Sequence, residues 1–191
     1  MEKITEENDM KKTIIIVSAV ILMVIMLILF IPTQKEVYRD GGTKEYRAIA
    51  YKIVIWNRFT RSGTFHKTSL YWYPKSKYSI DKLWDHEQQK SAEKYAKPYV
   101  WEKEGIGGDF TITLKKDGTF TYYEGMLSSF FGEGTWIDNN GIIVLSEQRG
   151  GEIIEFRFKA EKDALIFIKE GSGNFVFCDV ADGDRFITKQ K

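Results

Sequence analysis

The 191-residue chain contains one cysteine, Cys178, and two histidines, His66 and His86. A lone thiol excludes an intramolecular disulfide framework. Neither histidine has the neighbours that metal chemistry needs. His86 stands in Asp85-His86-Glu87, yet the helical zinc motif requires a second His one turn later, and position 90 is Lys. His66 falls in an expected strand with no spacing that links it to His86. The chain also lacks an excess of charge: 28 Lys and Arg stand against 27 Asp and Glu, a formal net charge of +1. That balance argues against a polyanion-binding surface and against nucleic acid as a partner. A long internal repeat and a low-complexity linker are missing as well.

Charge is missing altogether from one stretch. Thr13 to Ile31 reads TIIIVSAVILMVIMLILFI, with Thr13 and Ser18 as its polar members. At about 1.5 Å per residue this run spans roughly 28 Å, close to the hydrocarbon thickness of a bilayer. Its Ile, Val, Leu and Phe side chains sum to on the order of −5 kcal/mol on an insertion scale, and no charged residue opposes them. A buried core helix would show a polar face, which this run does not have. The residues after it, Phe30-Ile31-Pro32-Thr33-Gln34-Lys35, offer no small-x-small cleavage site, so retention as a transmembrane helix is expected. Lys3, Lys11 and Lys12 precede the helix and Lys35, Arg39, Lys44 and Arg47 follow it, so basic residues alone do not set the orientation. Because residues 1–12 are too short to fold, the expected arrangement is a cytoplasmic N-terminal tail and an extracytoplasmic folded region at the cell membrane.

The remaining length suits one ordinary core. In residues 35–100, Asp40-Gly41-Gly42-Thr43 marks a hairpin turn. From Tyr46 to Trp56 a strand is expected in which Ile49, Tyr51, Ile53 and Ile55 form the half-buried face. A further strand is read at Thr64 to Tyr73. Ser79 then caps a helix over Ile80 to about Tyr95, whose apolar positions are Ile80, Leu83 and Trp84 and whose Glu87, Lys90, Glu93 and Lys94 form a solvated surface. Residues 105–188 read as short strands separated by turns. These are Phe110 to Lys115, Thr119 to Tyr123, Gly134 to Ile137, Ile142 to Ser146, Ile153 to Lys159, Leu165 to Glu170 and Phe175 to Val180. The predicted fold is mainly β, an antiparallel meander forming a small barrel or sandwich, with one amphipathic helix and the N-terminal transmembrane helix.

Asp117-Gly-Thr-Phe-Thr-Tyr-Tyr-Glu-Gly-Met-Leu-Ser-Ser129, Gly134-Thr-Trp136, Leu165-Ile-Phe-Ile168 and Asp182-Gly-Asp-Arg-Phe186 resemble a lipocalin-like β-domain of uncharacterised membrane-anchored Gram-positive bacterial proteins. Tyr38 to Tyr46 and Ser79 to Trp84 are similar to passages of the same group. The resemblance covers about half of the chain. It implies a small barrel behind a membrane anchor and supplies neither an activity nor catalytic residues.

No catalytic motif, cofactor motif or metal constellation emerges. Asp138, Glu147, Glu152, Glu155, Asp182 and Asp184 sit mostly beside Gly or Asn, where turns favour carboxylates. Asp182-Gly183-Asp184 lacks the spaced ligands of a calcium loop. Gly105-Ile-Gly-Gly108 precedes a strand rather than a helix, which removes the phosphate-cradling context. Cys178, between Phe177 and Val180 in an expected strand, reads as an inert thiol. The candidate site is the Glu124–Gly134 connection, where Met126, Leu127, Phe130 and Phe131, with Tyr123 beside them, stand where a hairpin is usually polar. One reading is a lid or docking loop for an apolar ligand or a membrane or envelope protein. The other is a segment that folds inward and plugs the barrel. The function expected is a binding, sensor or accessory module. The alternatives are a membrane-tethered hydrolase using acidic residues and a purely structural envelope domain.

Overall fold

The computed structural model describes residues 2–60, 63–102, 110–125 and 130–188, with side chains from Lys12 onward. Helix α1 (Glu2–Phe30) contains the apolar run and is long and apolar enough to cross a membrane. None of that window is buried against the rest of the chain. Four antiparallel strands follow in sequence order: β1 (Gln34–Val37), β2 (Lys44–Arg47), β3 (Tyr51–Thr60) and β4 (Gly63–Trp72). A 3₁₀ turn at Lys75–Lys77 leads into α2 (Ile80–Tyr95), where the Ser79 hydroxyl accepts the Lys82 N–H at 3.3 Å, as the capping pattern predicts.

Eight further strands form a closed antiparallel barrel. They are β5 (Pro98–Trp101), β6 (Thr111–Leu114), β7 (Thr119–Tyr123), β8 (Phe131–Asn139), β9 (Ile142–Arg149), β10 (Glu152–Ala160), β11 (Ala164–Ile168) and β12 (Arg185–Ile187). Each pairs with the next, and β12 returns to β5 through Phe186↔Trp101 and Ile187↔Val100. The barrel-or-sandwich alternative therefore resolves to an up-and-down barrel. The two-residue turn Asn140-Gly141 has both residues at positive φ (55° and 86°), the conformation such a hairpin needs to match strand twist.

Apart from a polar cluster at one end, the barrel is apolar inside, and its outward strand positions carry Thr111, Thr113, Thr119, Thr121, Glu133 and Gln148. Tyr99, Phe110, Phe120, Tyr122, Phe156, Phe158, Phe167 and Phe186 are all fully or almost fully buried within it. Eight strands enclose just enough room for side chains. Two glycines make these rings fit. A Cβ at Gly132 would overlap the Tyr122 ring, and one at Gly134 would overlap the Ser146 carbonyl and press on Phe120. Phe120 and Tyr122 stack at 6.3 Å against this thinned stretch of β8.

The first sheet packs on the outside of β8 and β9. Val54, Trp56, Phe65, Tyr71 and Leu83 cluster with the outward-facing Ile137 and Val144. The barrel's own hairpin tip grips the edge of β4: His66 N–H donates to Asn139 Oδ1 (3.0 Å), and the side-chain amides of Asn139 and Asn140 donate to the carbonyls of Thr64 and His66.

Four sequence expectations change here. The run from Tyr46 to Trp56 is two strands, because the chain turns at Ala48–Ala50 and Ile49 lies exposed in the turn. Its buried face has the opposite phase: Lys52, Val54 and Trp56 point inward, while Ile53 and Ile55 point out. Alternation allows either phase, and packing on α2 and the barrel selects the one that buries Trp56. Lys52 is accepted inside because Glu45 lies 3.0 Å away and the Tyr78 carbonyl takes a hydrogen bond at 2.7 Å. On α2, Glu87 is buried rather than solvated. Phe175 to Val180, with Cys178, forms no strand. β11 is paired on its second edge by β12 instead, which releases the intervening segment to cross the barrel end.

Gly134→Ala is expected to destabilise the full-length protein by about 1–3 kcal/mol through overpacking, measured by urea unfolding in detergent. The adjacent exposed Glu133→Ala should shift stability by no more than about 0.5 kcal/mol. Equal effects at the two positions would remove the close-approach role given to Gly134.

Candidate functional site

Two regions of the fold gather side chains whose arrangement goes beyond packing. The first is the barrel end from which β7 and β9 exit. Phe175, carried on the connection between β11 and β12, inserts its ring among Phe110, Tyr122, Phe156 and Phe167 and stacks on Phe156 at 4.1 Å. Glu124, 4% exposed, holds this plug. Its carboxylate accepts the backbone N–H groups of Val176 (2.9 Å), Phe177 (2.7 Å) and Cys178 (2.7 Å). Charge-assisted bonds of this kind are about twice as strong as neutral ones. The Cys178 thiol donates to the Glu124 carbonyl.

Beside the plug lies a satisfied polar cluster. Glu147 faces inward from the middle of β9, not from a turn as its sequence context suggested, and is 4% exposed. It accepts from Tyr122 Oη (3.0 Å) and pairs with Arg149 (2.6 Å), whose guanidinium also reaches Tyr122 Oη and the Asn174 carbonyl. Burial first, and then the charge of Glu147, pushes the Tyr122 phenol well above its ordinary range. It therefore serves as a donor fixed in place, not as a proton source near neutrality.

The expected loop residues divide at this end. Met126 and Leu127 lie outside the described residues. Phe130 is half-buried, 6.1 Å from the Tyr122 ring and under the Arg149 guanidinium at 5.8 Å. Phe131 begins β8 with its side chain 68% exposed, stacked across the strand pair on Tyr123 at 5.1 Å. Of this pair, one side chain turns to the plug and its neighbour turns to solvent. The plug itself is Phe175, which sequence reasoning placed in a strand. A signal for it existed in Gly171-Ser-Gly-Asn174, a turn cluster too long for a tight hairpin.

The second region is the first sheet. Strand alternation and register place Lys35, Val37, Lys44, Tyr46, Tyr51, Ile53, Ile55, Phe59, Leu70 and Trp72 on its outer face, and no carboxylate shares that face among the strand residues. Leu70, Trp72 and Phe59 are 52%, 54% and 71% exposed. The acids occupy the inner side: Glu45 pairs with Lys52 and Arg47, and Glu87 pairs with Lys67 at 2.7 Å and accepts from Tyr71 Oη. At the helix end of this sheet Phe30, Tyr51 and Trp72 form an aromatic triad with centroid separations of 5.9–6.2 Å.

Between β4 and α2 runs a groove of about 560 Å³ lined by Lys67–Lys75 together with His86, Glu87 and Lys90. His86, which sequence reading separated from zinc chemistry, contacts Lys75 Nζ at 2.9 Å. Among the described residues no cluster of three His, Cys, Asp or Glu side chains is suited to a metal. Asp182 accepts the N–H of Lys169 just after β11, and Asp184 accepts the N–H of Ala181 in its own turn.

Comparison with protein-family models finds no match, and comparisons with curated proteins and with solved structures find none either. The class is therefore defined by the molecule's own geometry: a side-chain-filled up-and-down barrel with a lateral four-stranded sheet and an N-terminal apolar helix.

Glu124→Ala leaves the plug's backbone donors unpaired and is expected to cost about 2–4 kcal/mol. Under native conditions Cys178 should then react faster with a thiol reagent; an unchanged rate would show that the carboxylate does not hold the plug. The carboxyl of Glu87 is raised by burial but held below its ordinary value of 4.5 overall by Lys67 and Tyr71. Its contribution is thus complete above that value and is lost as pH falls through the lower folded-state value. Unfolding followed from pH 6 to 3 should show stability declining below about 4.5, with a shallower decline in Glu87→Gln.

Proposed function

We propose that the chain is a single-pass membrane protein whose first helix is retained in the cell membrane, with its short tail cytoplasmic and its folded region an extracytoplasmic binding module. The observation that carries the reading is the joint between helix and sheet. The last turn of a helix leaves carbonyls without intrahelical partners. Here Ala50 N–H donates to the Leu29 carbonyl (3.2 Å) and Tyr51 Oη to the Phe30 carbonyl (3.1 Å). A leader destined for removal has no need to be capped by the folded region. Tyr51, Trp72 and Tyr73 at this joint also suit the aromatic belt at a membrane surface, with Lys75 and Lys77 beside them.

The barrel supports recognition on its exterior. Among the described residues the lumen is filled by the barrel's own rings, which favours recognition on the exterior over an apolar ligand held inside. The outer face of the first sheet exposes Val37, Ile55, Phe59, Leu70 and Trp72 with no carboxylate among its strand residues, which favours a partner protein of the membrane or envelope. A second reading places docking at the rim formed by Tyr123, Phe130 and Phe131; the exposure of Phe131 favours it.

Two measurements test this. Intact mass of the membrane-extracted protein should include residues 1–31, and a shortened species would remove the tether. A photo-crosslinking side chain at Ile55 should give one discrete adduct in native membranes. An adduct from Phe131 alone would move docking to the rim, and none from either would remove the binding role.

A further inference from the structure

An open strand edge lies in the groove between β4 and α2. β4 is the last strand of its sheet, so only one of its sides is paired. The N–H and C=O of His66 point away from β3, since both bond to side chains of the barrel hairpin. In an antiparallel ladder the same orientation recurs at every second residue. The backbone groups of Thr68, Leu70 and Trp72 therefore also face outward. No strand pairs with that side, and among the described residues no other partner takes them. The half of the edge at Thr64 and His66 is closed by Asn139 and Asn140, whereas the half nearest the membrane helix is open.

Proteins blunt such edges with charge, proline, bulges or a covering element. Here the edge positions are Thr68, Leu70 and Trp72, none of them charged. We infer that the Thr68–Trp72 edge is a β-augmentation site, which receives an extended segment of a partner protein as a fifth strand between β4 and α2. Main-chain hydrogen bonds supply affinity in this mode, and alternate side-chain positions supply specificity.

The two faces of the added strand meet different surroundings. On the outer side its residues lie beside Leu70 and Trp72 and continue the apolar face formed with Tyr51, Ile53 and Ile55, where cross-strand apolar pairs stabilise. On the inner side they face Lys67, Lys75, His86 and Lys90. The groove's carboxylate, Glu87, is already paired with Lys67. The segment that fits is therefore extended, with apolar and acidic residues in alternation. This deepens the binding-module reading and rests on it for the source of the segment, though not for the site itself.

The test uses the full chain in nanodiscs and fluorescent nine-residue peptides, followed by anisotropy. A peptide alternating Val and Glu is expected to bind saturably. The same peptide N-methylated at alternate amides should lose binding, and a Val–Lys peptide should bind about tenfold more weakly. In the protein, Leu70→Pro removes an outward-facing N–H, a change that an edge strand tolerates, and should weaken binding about tenfold with thermal unfolding unchanged. Lys90→Glu, on the exposed face of α2, should weaken Val–Glu and strengthen Val–Lys. Equal binding of the N-methylated peptide, or no saturable binding by any of them, overturns the site even if Leu70→Pro proves unstable. An empty titration alongside a discrete Ile55 adduct would remove the edge and leave the binding module. A processed chain lacking its helix would remove the tether and leave the peptide result standing.

Discussion

Eight strands closed into a barrel leave an interior that only side chains can fill, and much of this structure follows from filling it with rings. Phe120, Tyr122, Phe156, Phe158, Phe167 and Phe186 come from the strands and Phe110 from the residue just before β6, yet they leave room at one end for a further ring. Phe175 supplies it from the long connection between β11 and β12. Once that ring is inside, the backbone around it needs partners away from water, and the buried Glu124 meets the need. At the opposite end Ala92 and Tyr95 of α2 join the same core, and Tyr99 Oη donates to the Tyr95 carbonyl. Among the described residues, the chain itself fills the interior from both ends.

The outside is asymmetric for a related reason. Packing the first sheet on β8 and β9 buries Val54, Trp56 and Phe65 and brings charged groups inward with them, each of which requires a partner. Lys52 finds Glu45, and Glu87 finds Lys67. The sheet's acids are spent on that inner side. What remains on the outer face is mostly aliphatic and aromatic, with Lys35, Lys44, Asn57, Thr64, His66 and Thr68 and no carboxylate among the strand residues, and it is continuous with the aromatic triad at the end of α1. The placement of charge that stabilises one side thus leaves the other suited to contact.

Much of this was legible in the residues. The uncharged run Thr13 to Ile31, the capped helix from Ser79, and the alternating runs around Asp117-Gly118 and Asn140-Gly141 carry local chemistry that specifies an element wherever it sits. The phase of β3 was not legible, because Ile53 and Ile55 are as apolar as Val54 and Trp56, and alternation permits either set to face inward. Glu87 was misplaced because a lone carboxylate on a polar helix carries no sign of the Lys67 and Tyr71 that await it from β4. Gly132 read as part of a connection and Gly134 as the start of a strand, yet both lie inside β8, whose inner face must make way for Tyr122 and Phe120.

The sequence by itself determined the anchor-like helix, the β class and the turns that articulate the meander, since each depends on residues within a few positions of one another. Tertiary structure alone decided the closure of β12 on β5, the insertion of Phe175, the clamp of Glu124 on residues 176–178 and the open edge of β4. The barrel closure, the Glu124 clamp and the hairpin's hold on β4 join positions roughly 50 to 85 residues apart in the chain. Their energies come from burial and hydrogen bonds between elements, and no local pattern records which distant surface an element will meet.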